Sequence, residues 1–171
     1  QGLQKTKQDI LEREIQHPLN MALDSSLTEE DRNRLENLGI FRAVTWNTVP
    51  LEDGTAILNF RVIESISMVP IFSPVYDENI GWFLILGAML NNFRGRNEKL
   101  TLRGMFGNVS AYDVIFKNPW VFGDHVSLAF DFSKKIFEHY FLPYRQQTQV
   151  FEINIGRYFG YERRLTAGIE L

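Results

Sequence analysis

The chain has 171 residues, a formal net charge of −3, 44% hydrophobic residues and no cysteine. This length suits one ordinary domain or two small ones, and the slight acidic excess gives no indication of a nucleic-acid partner. The lack of cysteine excludes a disulfide framework but fits an envelope protein and a cytosolic one equally. The longest apolar run, from Ile80 to Leu90, is too short for a membrane-spanning helix and about as long as a membrane-spanning strand.

The first part of the chain, to about residue 64, has the pattern of a small α/β module. Thr6 predicts the start of a helix that runs to about Gln16, with Pro18 beyond its end. Thr28 is the predicted cap of a second helix because acidic residues follow it, and Gly39 is its predicted stop. Two strands joined by a turn follow, Phe41–Val49 and Thr55–Ile63.

From Ile66 onward, apolar and polar residues alternate in short segments. Leu100 and Leu102, for example, oppose Thr101 and Arg103. Period two with one apolar and one polar face is typical of a transmembrane β-barrel, although a soluble β-sandwich would also bury its apolar face. The predicted strands are Ser67–Tyr76, Ile80–Asn91, Lys99–Gly107, Ala111–Asn118, His125–Ser133, Thr148–Gly156 and Arg163–Leu171, with a turn after Asn118 and a long connection over Lys134–Gln147.

Charged side chains fall on the polar face of these strands. They could be read as a catalytic set, but a hydrated lumen whose charges pair with one another is the favoured interpretation. The chain has no Gly-x-Ser-x-Gly elbow and no P-loop, and His17, His125 and His139 are scattered rather than set at metal-ligand spacing. We therefore predict no catalytic residue and no metal site. The predicted lumen-facing residues are Arg103, Asp113, Lys117, Asp131, Glu152 and Glu170.

Four segments carry a family resemblance. Leu35–Val44, which reads LENLGIFRAV, and Phe60–Glu64 are similar to the later part of a POTRA module. Asn91–Leu100 is similar to a barrel hairpin in which Asn97 replaces a glycine, and Asn118–Trp120 resembles an Asn-Pro-aromatic turn. In this order the segments resemble the BamA-like family of outer-membrane assembly factors, also called the bacterial surface-antigen family.

The resemblance implies an organisation into two parts. Residues 1–64 would be a POTRA-like α+β module in the periplasm that lacks its first strand. Residues 65–171 would be the N-terminal part of an antiparallel transmembrane β-barrel in the bacterial outer membrane. About seven strands make an incomplete barrel, so we expect the chain to be a fragment.

The resemblance also implies a function. It would be the assembly and insertion of outer-membrane β-barrel proteins, without covalent chemistry or a cofactor. The partners would be unfolded outer-membrane proteins, outer-membrane lipids and accessory assembly lipoproteins. Client strands would add to the backbone of a lateral seam, and the matching residues here are Ser67, Met68, Val69, Pro70, Ile71, Phe72 and Ser73.

Two questions stay open from the sequence. Pro70 and Pro74 indicate either an edge strand or a linker that precedes the first strand. The same scaffold could also serve a two-partner secretion transporter or the barrel domain of a patatin-like lipase, and a soluble all-β binding protein is the alternative without a membrane.

Overall fold

The computed structural model describes residues 1–122, 126–138, 144–159 and 163–171. These residues form two compact units. Unit 1 contains Gln1–Ser67 and Arg94–Asn97, and unit 2 contains Met68–Phe93 and Glu98–Leu171. Within the described ranges, no helix is long and apolar enough to cross a membrane. The elements are α1 Gln8–Glu12, α2 Ser25–Asn37, β1 Phe41–Pro50, β2 Ala56–Glu64, β3 Met68–Asp77, β4 Gly81–Phe93, β5 Glu98–Gly107, β6 Val109–Phe122, β7 Val126–Glu138, β8 Arg145–Phe159 and β9 Arg163–Glu170.

The first helix of unit 1 is shorter than predicted, since α1 ends at Glu12 rather than near Gln16. Beyond it, the backbone N–H groups of Gln16 and His17 donate to the two carboxylate oxygens of Asp31, each at 2.9 Å. Asp31 lies on α2 and is fully buried. The chain therefore leaves the helix because a side chain, rather than a helical carbonyl, accepts these N–H groups.

The second helix begins three residues before the predicted cap. Its N-cap is Asp24, whose carboxylate accepts from the backbone N–H groups of Ser26 and Leu27. The prediction of Thr28 as the cap is wrong, because Thr28 lies inside the helix and its hydroxyl donates to the Asp24 carbonyl at 2.8 Å. The predicted stop is confirmed, because Gly39 follows the helix with a left-handed φ of 69°.

A small hydrophobic core joins the helices of unit 1 to its β-hairpin. β1 and β2 pair antiparallel with Trp46 opposite Phe60. On the other side of β2, the N-terminal ammonium of Gln1 donates to the Phe60 carbonyl at 2.7 Å, and the Val62 N–H donates to the Gln1 carbonyl at 3.0 Å. Gln1 therefore forms hydrogen bonds to two residues of β2 that flank Arg61, which is the pattern of parallel strands. The core consists of Ile10, Leu11, Leu35, Ile40, Phe41, Val44, Phe60 and Val62.

The N-terminal segment of unit 1 is tied to the end of β2 by Glu64. The Glu64 carboxylate accepts from the backbone N–H groups of Gln4, Lys5 and Thr6 at 2.8–3.1 Å. Burial raises the pKa of the Glu64 carboxyl, but the hydrogen bonds from Thr6, Gln4 and Lys5 outweigh burial and hold the pKa below its usual range. Successive N–H groups that converge on one carboxylate form an anion-binding nest.

A hairpin tip, Arg94–Asn97, is the other part of unit 1. Arg94, Gly95 and Asn97 all have positive φ angles, so Asn97 occupies a left-handed conformation that glycine adopts readily. The Lys7 N–H donates to the Gly95 carbonyl at 2.9 Å. A Cβ atom at residue 95 would lie 2.1 Å from the Lys5 carbonyl oxygen, so only glycine permits this approach.

Unit 2 is a seven-stranded antiparallel sheet in the order β3-β4-β5-β6-β7-β8-β9. The predicted strand number and antiparallel pairing are confirmed. Each strand neighbours those that precede and follow it in the chain. Among the described residues the sheet is open, with β3 and β9 each paired on one side.

Two predicted connections in unit 2 are wrong. β6 does not turn at Asn118 but continues to Phe122 through a shift of register after Asn118. A bulge tolerates Pro119, which cannot donate to a ladder, and the Asn118 side chain accepts the Trp120 N–H at 2.9 Å. The predicted long connection over residues 134–147 is shorter at both ends, because β7 reaches Glu138 and pairs there with Arg145 of β8; residues 139–143 of that connection lie outside the described residues.

Replacing Glu64 with glutamine should destabilise unit 1. A glutamine carbonyl is a weaker acceptor, and its NH2 group faces N–H donors, so we expect a loss of about 1–3 kcal/mol in the free energy of unfolding. Because the folded pKa of Glu64 is lowered, its contribution is fully present above the unfolded value, about 4.3, and is lost as the pH falls through the folded pKa. Chemical unfolding of the chain at several pH values measures both effects.

Glu52→Gln is the matched control for this substitution, because Glu52 is an exposed glutamate in the turn between β1 and β2. Its effect should be close to zero. Equal losses for the two variants would show that the Glu64 carboxylate does not hold the N-terminal segment.

Replacing Gly95 with alanine should also destabilise unit 1, and by more than its φ angle alone requires. Gly54→Ala is the matched control, because Gly54 also has a positive φ, 83°, but has open space around its Cβ position. We expect about 1 kcal/mol for the control, from the left-handed conformation, and about 2–4 kcal/mol for Gly95→Ala, from the added clash. Similar unfolding free energies for the two variants would contradict the close approach of Lys5 and Gly95.

Candidate functional site

The register of the sheet places the predicted charged residues on one face. Arg103 lies opposite Asp113, Asp131 opposite Glu152, and Glu152 opposite Glu170. Cross-strand partners share a face, as do residues two apart on one strand. We call this side the polar face, and it includes all the predicted lumen-facing residues, Arg103, Asp113, Lys117, Asp131, Glu152 and Glu170.

Arg103 and Asp113 form a close ion pair on the polar face. Arg103 Nε is 2.9 Å from Asp113 Oδ2 and 3.1 Å from Asp113 Oδ1. Asp113 is only 7% exposed, so the arginine compensates a largely desolvated carboxylate. On β4, Gly87 lies opposite Arg103, and a Cβ atom there would lie 3.1 Å from Arg103 Cγ and 2.2 Å from the Leu102 carbonyl oxygen. Sequence reasoning missed Gly87, whose only signal was a glycine inside an otherwise apolar run.

The other predicted carboxylates of the polar face form a row of like charge. Asp131, Glu152 and Glu170 lie opposite one another on three successive strands, and Asn154 Nδ2 donates to Glu152 at 2.5 Å. Lys117 lies opposite Lys99 and Ala129 rather than opposite a carboxylate. Like charges directly opposite one another destabilise a sheet, and water weakens their repulsion. This row of like charges is therefore more stable on a surface that contacts water.

The described residues offer no other chemical centre. Within them, no group of three His, Cys, Asp or Glu residues could hold a metal ion. His17 lies in unit 1, between α1 and α2, whereas His125 and His139 lie outside the described residues.

The opposite side of the sheet, which we call the apolar face, carries large exposed hydrophobic side chains. Phe72 is 72% exposed, Trp82 65% and Ile169 69%. Their cross-strand partners on this face include Leu86 opposite Phe72 and Ile153 opposite Ile169. A soluble protein rarely exposes so much contiguous apolar surface. In a β-sandwich these side chains would be buried against a second sheet, whereas in a membrane barrel they would contact lipid on the outer surface.

The predicted seam residues lie at an edge of the sheet. Met68, Val69, Pro70, Ile71, Phe72 and Ser73 belong to β3, and Ser67 immediately precedes it. β3 pairs with β4 without a shift of register from Met68 to Asp77. Both prolines therefore lie within a strand, not in a linker before it.

The two prolines also indicate which backbone N–H groups of β3 point away from β4. Proline has no N–H, so it fits an edge strand only where its nitrogen faces away from the neighbouring strand. Pro70 and Pro74 are four residues apart and therefore face the same way. The outward edge of β3 consequently keeps the N–H groups of Met68, Phe72 and Tyr76 and has lost two others.

Comparison with known proteins shows what the chain is similar to. Residues 92–171 match the Omp85 superfamily domain. The chain is 26% identical over 141 residues to the outer membrane protein assembly factor BamA of Neisseria meningitidis serogroup B. This alignment covers 80% of the chain but only 18% of that protein, so the chain spans less than a fifth of the length of this curated relative.

A solved structure shares the fold. The crystal structure of BamA from Haemophilus ducreyi lacking POTRA domains 1–3 superposes with a TM-score of 0.73 at 19% sequence identity. The match covers 88% of the chain and 30% of that structure. The seven-stranded antiparallel sheet therefore has the fold of the matching region of that BamA structure.

A charge placed on the apolar face should destabilise unit 2 in a bilayer. Leu102 lies on this face and is 41% exposed, and Leu102→Arg should lower the free energy of unfolding by about 2–4 kcal/mol if the residue lies near mid-membrane. Denaturant titration of the chain in lipid vesicles, followed by tryptophan fluorescence, measures the change.

Thr101→Arg is the matched control, because Thr101 is the adjacent residue of β5 and lies on the polar face. Its arginine would reach water, so we expect a change below about 1 kcal/mol. A larger loss for Thr101→Arg than for Leu102→Arg would mean that the two faces are assigned the wrong way round.

Proposed function

We propose that the chain is a member of the Omp85 superfamily, whose domain matches residues 92–171, and that it serves the assembly and insertion of outer-membrane β-barrel proteins. The action is non-enzymatic: a free strand edge templates the strands of an unfolded client. The curated relative from Neisseria meningitidis is named an outer membrane protein assembly factor, which supports this assignment.

The observation that carries the proposal is the incomplete edge of β3. A full edge would pair tightly with any strand beside it, whereas the edge with Pro70 and Pro74 offers fewer donors than acceptors. A seam formed along such an edge would need little free energy to open, and one partner strand could then replace another. Main-chain hydrogen bonds place little demand on the sequence of the added strand, so many clients could use the same edge.

The two faces of the sheet support a place in the outer membrane. The apolar face suits contact with lipid, and the polar face suits a hydrated lumen, as in transmembrane barrels. We assign residues 65–171 to the N-terminal part of such a barrel. Lipids and unfolded outer-membrane proteins are then the expected partners of this part.

Residues 1–64 are proposed to be a POTRA-like module in the periplasm. Their elements run helix, helix, strand, strand, and Gln1 pairs with β2 in the parallel pattern. The match to the Haemophilus ducreyi structure covers 88% of the chain and so takes in part of unit 1 as well as unit 2. Accessory assembly lipoproteins are the proposed partners of this module.

Phe72→Pro tests the templating edge. Phe72 lies between the two prolines, so the substitution should remove a further outward N–H while leaving the pairing with β4 intact. We expect proteoliposomes that contain the variant to fold a urea-unfolded outer-membrane barrel about fivefold more slowly, as for one lost hydrogen bond. Heat-modifiable migration of the client on a gel reports its folding.

Phe72→Ala is the matched control, since it removes the same ring but keeps the N–H. The templating proposal predicts that Phe72→Ala folds the client nearly as fast as the unaltered protein. Equal slowing by both substitutions would assign the effect to the side chain, and no acceleration by the unaltered protein would exclude the assembly function.

A further inference from the structure

The loop that connects α1 to α2, residues Pro18–Asp24, is held at both of its ends. At its beginning, the N–H groups of Gln16 and His17 donate to Asp31, at 2.9 Å each. Asp31 is itself paired with Arg34 of α2 at 2.6 Å. At its end, the loop is closed by the ring of His17.

The His17 ring bridges the two ends through both of its nitrogens. Nδ1 lies 3.0 Å from the Pro18 carbonyl oxygen, and Nε2 lies 3.0 Å from the backbone nitrogen of Asp24. A carbonyl oxygen can only accept a hydrogen bond, and a backbone N–H can only donate one. Both bonds therefore require a neutral ring with its hydrogen on Nδ1 and a lone pair on Nε2.

A second proton on the ring is incompatible with the closed loop. It would occupy Nε2 and set an N–H donor against the N–H donor of Asp24. We propose that His17 is a pH-sensitive latch, which closes the Pro18–Asp24 loop when neutral and releases Asp24 when protonated.

The charged groups around His17 do not replace the lost bond. Asp31 accepts the His17 backbone N–H and is paired with Arg34 of α2, and Arg13 and Glu14, which follow α1, are paired at 3.3 Å. The Asp24 carboxylate could attract the protonated ring, but it caps α2 through Ser26 and Leu27. In either arrangement, protonation changes the hydrogen bonds of Asp24.

The loop that the His17 ring closes carries exposed apolar side chains. Between its closed ends the loop exposes Leu19 at 89%, Met21 at 69% and Leu23 at 45%. Closure fixes the backbone that carries these side chains, whereas release lets the loop move as a flexible segment. The inference rests on unit 1 and is independent of the proposed function.

Hydrogen exchange tests the latch. The full chain in detergent micelles is exchanged at about pH 7.5 and about pH 5.5, on either side of histidine titration, and peptides covering residues 18–24 are followed by mass spectrometry. After correction for intrinsic rates, we expect protection of the Asp24 amide to fall about fivefold in acid, as for one lost hydrogen bond. Unchanged protection would overturn the proposal.

His17→Gln is the matched variant. The glutamine carbonyl can accept from the Asp24 N–H but does not titrate, so protection should be the same at both pH values. A pH response in this variant equal to that of the unaltered chain would assign the effect to other groups. The variant retains His125 and His139. Any pH response of these two histidines is therefore present in both the variant and the unaltered chain.

The ring nitrogens provide a second readout that needs no variant to fold. Nitrogen NMR shifts of His17 distinguish the two neutral tautomers, and the closed loop requires the hydrogen on Nδ1 at neutral pH. Finding it on Nε2 would overturn the latch, because the Asp24 N–H would then have no acceptor on the ring.

Discussion

The antiparallel register of the sheet is the constraint on which the rest of unit 2 depends. Because side chains alternate along each strand, a slip of one residue would bring the charges of Arg103 and Asp113 to the side of Leu102. The observed register keeps Leu102 opposite Val114 and Arg103 opposite Asp113. The separation into a polar and an apolar face thus follows from backbone pairing, and the ion pair strengthens the same register.

Unit 1 meets the same backbone requirement by different means. It has short helices and a single hairpin, so many of its N–H groups lie outside regular structure. Two carboxylates gather several of them: Asp31 accepts from Gln16 and His17, and Glu64 accepts from Gln4, Lys5 and Thr6. Charged acceptors make stronger hydrogen bonds than neutral ones, which suits a unit with a small hydrophobic core.

Periodicity predicted the elements better than local chemistry predicted their ends. Alternation is repeated along every strand, so the sequence predicts the number of strands and the shared face of Asp113 and Glu152. An element's end depends on one bond, and at α2 Asp24 and Thr28 were both chemically suitable caps. The bulge after Asn118 and the pairing of Glu138 with Arg145 depend on a neighbouring strand, which the local sequence does not specify.

The edge strand β3 is subject to the same backbone requirement. A strand of a membrane sheet must satisfy its backbone, because lipid offers no hydrogen bonds, and an unpaired edge is therefore expensive. Proline lowers this free-energy penalty in part, since Pro70 and Pro74 have no N–H group that would be left unsatisfied. The same residues also limit how strongly any partner strand can bind. An edge that is both tolerable alone and weak when paired suits reversible exchange of strands better than permanent closure.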